Sequence, residues 1–148
     1  MDWLSAVIGA AIGIFSTIFA YEYKRWRGRK IELGKRRKQA AGLLRSELNK
    51  VITSWEIFKK TEEMHVDPGL GNFQRELESI SRSLRNIASA SHGLVSEDVL
   101  NKTIEIVELL TRLSQMRFFL NGGQSWNEFL ELGDRIIKQC RELDQKLA

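Results

Sequence analysis

An uncharged apolar run near the N-terminus is the feature that most restricts the fold of this chain. Residues 3–20 (WLSAVIGAAIGIFSTIFA) contain no Asp, Glu, Lys or Arg. In an α-helix these residues would rise about 27 Å, close to the roughly 30 Å hydrocarbon core of a bilayer. The run therefore predicts a membrane-spanning helix, within a transmembrane anchor of residues 1–23.

A cleavable signal peptide is the competing interpretation of this run. Signal peptides normally place a positive segment before a shorter apolar stretch and small residues at the cleavage site. Here Asp2 is the only charge before the run, and the basic residues follow it. Ile18 also stands where a cleavage motif ending at Ala20 would need a small residue. We therefore expect an uncleaved anchor.

A basic juxtamembrane segment, residues 24–38 (KRWRGRKIELGKRRK), follows the run, and we call it the basic collar. The 148 residues carry 23 Lys and Arg against 19 Asp and Glu, a net charge of +4. The collar holds nine basic residues and one acid, so it contributes +8 and leaves −4 elsewhere. Because Lys and Arg favour the cytoplasmic side, we expect the N-terminus outside and the C-terminal part in the cytoplasm.

The collar has two candidate partners. Basic residues beside a spanning helix are attracted to anionic lipids, each by about 1 kcal/mol. Binding of RNA to the same residues is the alternative. The residues expected to bind lipid headgroups are Lys24, Arg25, Arg27, Arg29, Lys30, Lys35, Arg36, Arg37 and Lys38.

Small residues recur at every fourth position of the apolar run, at Ser5, Gly9 and Gly13. Such a stripe lets helices approach closely in lipid, where packing drives association. A single spanning helix has no partner in its own chain, so the stripe predicts a homo-oligomer. Together with Ser16 and Thr17 it would either pack between helices or line a pore. The alternative is that Gly and Ala are simply common in membrane helices.

Residues 39–148 predict a cytosolic bundle of four amphipathic helices, because apolar residues recur at steps of three and four. The first helix is expected from about 35 to 63, a loop at 65–72, and the end of the second helix near 91–93. Ser96 and Ser125 are predicted N-caps, and Gly122-Gly123 is predicted to end the third helix. The positions expected to be buried are Leu44, Leu48, Val51, Trp55 and Phe58; Phe73, Leu77, Ile80, Leu84 and Ile87; Leu100, Ile104, Val107, Leu110 and Leu113; Phe129, Leu132, Ile136, Cys140 and Leu143.

The expected fold class is therefore all-α, with one N-terminal transmembrane helix followed by a four-helix up-and-down bundle. Six further apolar residues fall outside the predicted buried faces. They favour a second buried face against another protomer, and a wider stripe inside one bundle is the alternative. These residues are Ile106, Leu109, Phe118, Phe119, Leu130 and Ile137.

The composition excludes several kinds of site. One cysteine, Cys140, and two histidines cannot form a disulfide framework or a Cys/His metal cluster, although a carboxylate metal site remains possible. The sequence has no P-loop, no G-x-G-x-x-G after a strand and no G-x-S-x-G elbow. We therefore expect no cofactor and no metal site.

One pair of residues has the types that acid–base chemistry needs. On a continuous helix, Arg85 and His92 would lie on one face, about 10.5 Å apart along the axis. In a dimer, His92 could act as a general acid or base while Arg85 stabilises charge on RNA. The alternative is that His92, beside Gly93, only lies at a helix end and Arg85 is solvated.

A helical bundle with Arg85-Asn86 followed by His92 resembles the HEPN family, whose motif joins arginine, often asparagine, and histidine. An N-terminal spanning helix attached to such a bundle is similar to the membrane accessory proteins of type VI-B CRISPR–Cas loci. The resemblance implies a bacterial inner-membrane location, an oligomeric pore, a role in antiviral defence, and RNA or an RNA-guided effector protein as partner. It implies catalytic roles for Arg85, Asn86 and His92. The six-residue spacing is the longest that the family allows.

Three functions follow as hypotheses. The first is a homo-oligomeric pore that permeabilises or depolarises the inner membrane. The second is a membrane-tethered ribonuclease that uses Arg85 and His92. The third is a non-enzymatic scaffold that holds a soluble partner at the membrane.

Overall fold

The protein is all-helical in a computed structural model that describes residues 3–118 and 125–148. Helix α1 is Trp3–Glu63, α2 is Leu70–Ala90, α3 is Glu97–Gln115 and α4 is Trp126–Leu147. The chain divides into two compact units, Met1–Arg36 and Arg37–Ala148. No β-strand occurs in the described ranges, so the all-α prediction is confirmed.

The separate anchor and first bundle helix that we expected form one continuous helix, α1, of 61 residues. The described residues therefore form four helices instead of five. Lys and Arg are good helix formers, and Arg36 donates to Glu32 one turn earlier at 2.8 Å. Gly28 and Gly34 each disfavour the helix by only about 1 kcal/mol relative to alanine, which is too little to end it.

The second unit is an up-and-down bundle of residues 37–63 of α1 with α2, α3 and α4. Each helix contacts two others, in the pairs α1–α2, α2–α3, α3–α4 and α1–α4. The two helices of each pair run antiparallel. The joining hydrogen bonds are Ser54 to Glu76 (α1–α2, 2.8 Å), Ser81 with Thr111 (α2–α3, 3.0 Å), Lys146 to Asp98 (α3–α4, 3.0 Å) and Arg45 to Asp144 (α1–α4, 2.9 Å). Short loops between antiparallel neighbours produce this topology.

The predicted buried faces form the core with few exceptions. All five predicted positions of α1 are buried, and Leu44 and Leu48 have no exposed surface. Ile87 and Leu132 are half-buried against the core. The prediction is wrong for Ile104, which is 49% exposed. Thr103 takes the inward position instead, since its hydroxyl donates to the Val99 carbonyl at 2.8 Å and is therefore satisfied.

The surplus apolar residues of α3 and α4 are used within the bundle itself. Ile106 and Ile137 are 1% and 5% exposed. Leu109, Phe118 and Leu130 pack half-buried against the same core, and Phe119 lies outside the described residues. A wider stripe on each helix, the alternative to a second interface, therefore accounts for Ile106, Leu109, Leu130 and Ile137, while Phe118 packs against the core from the segment that follows α3.

Helix α1 ends in a Schellman motif built on a histidine. The N–H of Val66 donates to the Thr61 carbonyl at 3.3 Å, and the N–H of His65 donates to the Glu62 carbonyl at 3.0 Å. His65 has a φ of 57°, in the left-handed region that glycine usually occupies in this motif. The helix therefore ends at Glu63, as the sequence predicts.

Serine N-caps begin two helices as predicted. The Ser96 hydroxyl accepts from the Val99 N–H at 3.3 Å, and the Ser125 hydroxyl accepts from the Glu128 N–H at 3.1 Å. Each bond satisfies a donor that has no partner within the first turn of the helix. These caps fix where α3 and α4 start.

Helix α3 ends at Gln115, earlier than expected. The side-chain amide of Gln74 donates to the carbonyls of Leu113 and Met116 at 3.3 and 2.9 Å. Gln74 thereby satisfies acceptors that a helix leaves open at its C-terminus. The predicted end at 122–123 lies outside the described residues.

An aromatic cluster fills the end of the bundle where α1 meets α4. Gly133 of α4 lies directly against the six-membered ring of Trp55, and a Cβ on Gly133 would overlap that ring. The indole N–H of Trp55 donates to Asp134 at 3.0 Å. The clustered rings are Trp55, Phe58, Phe73, Phe118, Trp126 and Phe129.

Candidate functional site

The N-terminal part of α1 is apolar and long enough to cross a membrane. Its most hydrophobic 18-residue window has a mean hydropathy of 1.9 and is 0% buried. Phe15 and Phe19 are 73% and 75% exposed although they are among the largest apolar residues of the chain. Such exposure of consecutive apolar turns is unusual for a protein surface in water.

The small residues of this segment lie together on one side of the helix. Because each residue turns about 100° around the axis, Ser5, Gly9 and Gly13 fall within an arc that also contains Ser16 and Thr17. The opposite side carries the large apolar residues Trp3, Leu4, Val7, Ile8, Ile12, Ile14, Phe15, Ile18 and Phe19.

We call this side, with Ala6 and Ala10, the small-residue face. A Cβ built on Gly9 or Gly13 meets nothing within 4 Å. The Thr17 hydroxyl donates to the Gly13 carbonyl at 2.9 Å, so it needs no further partner in an apolar surrounding. The predicted packing or pore-lining residues are therefore exposed and can be approached by another helix.

The nine basic residues of the collar are all exposed. Arg36 pairs with Glu32 at 2.8 Å. The ammonium of Lys30 lies 4.9 Å from the centroid of the Trp26 ring, and Trp26 also packs against Tyr23 with ring centroids 6.1 Å apart. Aromatic and basic side chains thus share the surface directly after the apolar run.

The predicted catalytic residues lie at the C-terminal end of α2 and just beyond it. Arg85 and Asn86 are exposed on α2. The helix ends at Ala90, so His92 lies in the turn that follows α2. The separation of about 10.5 Å assumes a helix that continues through His92, and α2 ends two residues before it.

Within the described part of the chain, His92 lies near one charged side chain, that of Glu97. The His92 side chain is 73% exposed, and Nδ1 lies 3.9 Å from a carboxylate oxygen of Glu97, at the start of α3. A hydrogen bond needs a shorter distance than this. The arrangement matches the alternative of a histidine at a helix end, and whether His92 acts on RNA stays a prediction.

The bundle surface carries open grooves crossed by ion pairs. The groove between α1 and α4 has a volume of about 720 Å³. Lys59 pairs with Asp134 at 3.1 Å, and Arg141 pairs with Glu56 at 2.7 Å. Within the described ranges, no group of three or more His, Cys, Asp or Glu side chains is placed to hold a metal ion.

Cys140 is buried in the core, and its burial raises the pKa of the thiol to about 12. A thiol with so high a pKa is not a nucleophile near neutral pH.

Two residues of α4 that hold the Trp55 side chain in place are not indicated by the sequence. Gly133 contacts the Trp55 ring and Asp134 accepts from its indole N–H, but a glycine within a helix gives no sequence signal of the ring that it contacts.

No family model, curated protein or solved structure matches this chain. The resemblance to the HEPN family therefore depends on the architecture and on Arg85, Asn86 and His92. The exposed apolar helix and the collar are the features on which a functional proposal can be built.

Proposed function

We propose that the protein is a single-pass membrane protein of a bacterial inner membrane that self-associates through its N-terminal helix and permeabilises that membrane. The observation that carries the proposal is that none of the apolar window of α1 is buried. The bundle, in this proposal, lies in the cytoplasm because the basic collar follows the spanning segment.

The energetics favour lipid as the surrounding of residues 3–20. Nine large apolar side chains are exposed there, and burying each is worth about 1.5–3 kcal/mol. If all nine became fully buried, the total would be on the order of 14–27 kcal/mol, which equals or exceeds the stability of an ordinary domain. A helix also satisfies its own backbone hydrogen bonds, as hydrocarbon requires. A bilayer supplies both conditions at once.

The separation of small from large side chains supports self-association in the bilayer. Large residues on one side suit contact with lipid chains, whereas Gly9 and Gly13 let a second helix approach closely. The small-residue face also carries the hydroxyls of Ser5, Ser16 and Thr17. In a ring of such helices these hydroxyls supply the polar lining that an aqueous path needs, and this supports permeabilisation.

Two leucine substitutions test the role of the small-residue face. Gly9→Leu adds bulk on this face, and Ala11→Leu adds similar bulk among the large apolar residues on the other side. We expect Gly9→Leu to reduce the mass of the detergent-solubilised particle towards that of a monomer and to abolish ion flux into liposomes. Ala11→Leu should leave both unchanged.

Two results would contradict the proposal at different steps. A wild-type particle with the mass of one chain would exclude self-association. An oligomer that gives no flux in liposomes would exclude permeabilisation and leave a membrane scaffold as the function. Resistance of the wild-type protein to alkaline extraction from membranes tests the spanning helix separately.

A further inference from the structure

The first five basic residues of the collar surround the helix, and we call them the inner ring: Lys24, Arg25, Arg27, Arg29 and Lys30. We infer that the inner ring binds the phosphates of anionic phospholipids around the whole helix, and that Lys35 and Arg36 lie beyond this lipid layer. The inference rests on the proposed function, since it requires the helix to cross the bilayer.

The arrangement of the inner ring around the axis fits a crossing helix. At about 100° per residue, neighbouring members of the ring are separated by no more than about 100°. All five side chains are exposed. A helix that lies flat on a membrane needs one apolar side to insert. The inner ring leaves no such side, whereas a crossing helix meets headgroups in every direction.

The position of the inner ring along the axis fits the headgroup layer. This layer extends about 5–7 Å beyond the hydrocarbon on each side. Taking its inner edge at Tyr21, after the apolar run, Lys30 stands about 13 Å further along the helix and Lys35 about 21 Å. The long stems of Lys and Arg can bend back towards the layer over the shorter distance. Lys35 stands about 14–16 Å beyond the outer edge of the layer, close to two Debye lengths at physiological salt.

The side-chain contacts of Lys30 and of Arg36 support the same distinction between the inner ring and the later basic residues. The Lys30 ammonium lies over the Trp26 ring, 4.9 Å from its centroid, which holds the charge one turn closer to the apolar run. Trp and Tyr rings settle at the headgroup level of membranes. Arg36, in contrast, is paired with Glu32 at 2.8 Å. The inner ring therefore combines positive charge with aromatic anchors, whereas Arg36 shares its charge with Glu32.

The sequence offers a matched test, because Lys24-Arg25 and Lys35-Arg36 are the same dipeptide three helical turns apart. Eleven residues turn about 1,100°, so the two dipeptides lie on nearly the same side of the helix. The variants Lys24→Gln/Arg25→Gln and Lys35→Gln/Arg36→Gln each remove two positive charges. Full-length proteins would be placed in nanodiscs of phosphatidylglycerol and phosphatidylcholine, and the lipids that each protein retains would be counted by native mass spectrometry.

We expect the inner-ring variant to lose about thirtyfold in its preference for phosphatidylglycerol, since each charge near the surface contributes roughly fivefold. The Lys35/Arg36 variant should change by less than twofold. Equal losses in the two variants, or no loss in either, would overturn the inference. Nucleic acid that copurifies with the wild type and is lost from the inner-ring variant, with lipid preference unchanged, would assign the ring to RNA instead. Release of the wild type by alkaline extraction would contradict the proposed function itself.

Discussion

The two units of the protein contain apolar residues of the same kinds in opposite surroundings. In Met1–Arg36 the large apolar side chains are more than half exposed over most of the helix, as at Phe15 and Phe19. In Arg37–Ala148 the corresponding side chains, such as Trp55 and Phe58, are 3% exposed. The backbone is α-helical in both units, so they differ in the surroundings of their side chains and not in secondary structure.

The difference shows that burial in the bundle comes from spacing, and not from apolar content alone. In the bundle, apolar residues at steps of three and four leave polar residues on the other side, so each helix has one face to bury. In residues 3–20 no charged residue interrupts the circumference, and large apolar side chains on one side face small residues, three of them with hydroxyls, on the other. One bundle of four helices cannot cover such a surface, whereas lipid can.

Truncating an aromatic residue in each unit should give the largest contrast. Trp55→Ala removes a buried ring and leaves Asp134 without the indole donor, so we expect a loss of about 3–5 kcal/mol in the unfolding free energy of the bundle. Phe15→Ala should change it by less than about 0.5 kcal/mol, because the ring contacts no core. Denaturant unfolding in detergent, followed by near-ultraviolet circular dichroism, measures both. A similar loss in Phe15→Ala would show that the N-terminal apolar surface also stabilises the bundle.

Two glycine substitutions should give a smaller contrast of opposite sign. Gly133→Ala forces the Trp55 ring to move within a filled cluster, and we expect a loss of about 1–3 kcal/mol despite the better helix propensity of alanine. Gly42→Ala, on a part of α1 where a Cβ meets nothing within 4 Å, should gain about 0.5–1 kcal/mol. The same unfolding measurement applies. Equal gains at the two positions would mean that Trp55 can shift freely and that the cluster is loosely packed.

The sequence predicts the parts of the fold that depend on short-range chemistry. The periodic apolar residues of α1 and the serine caps at Ser96 and Ser125 follow from spacing and residue type, and the structure confirms them. The end of α1 at Glu63 was also expected, although His65 supplies the left-handed turn that glycine usually provides.

Choices between near-equal alternatives could not be predicted. Whether Ile104 or Thr103 faces inward depends on the direction of two neighbouring helices, and hydropathy favours the wrong residue.

The continuity of α1 results from weak helix propensities summed over the collar, with no single signal. Helix α2 ends at Ala90, two residues before His92, and whether His92 and Arg85 face the same side stays a prediction. The candidate membrane segment is the opposite case, because length and composition alone indicate it.

The buried thiol of Cys140 gives a contrast that depends on pH. Its pKa is about 12 in the folded protein because burial disfavours the thiolate, whereas an unfolded cysteine ionises near pH 8.5. The folded state therefore holds its proton more tightly, so this contribution to stability is complete below pH 8.5 and is lost as the pH rises towards 12.

Across that interval we expect the unfolding free energy to fall by at most about 1.4 kcal/mol per pH unit from this group. Cys140→Ala should be less stable below pH 8.5 because of the cavity, but its stability should fall less steeply between pH 8.5 and 10. Alkylation of Cys140 at pH 8 should require unfolding, so its rate in the native wild type should follow the unfolding equilibrium set by denaturant. Rapid alkylation without denaturant would mean that the bundle core opens in the native state. The bundle would then be closed only on average, and its core would open often enough in the native state for Cys140 to react. The difference in exposure between the bundle and the N-terminal helix would hold for the average structure alone.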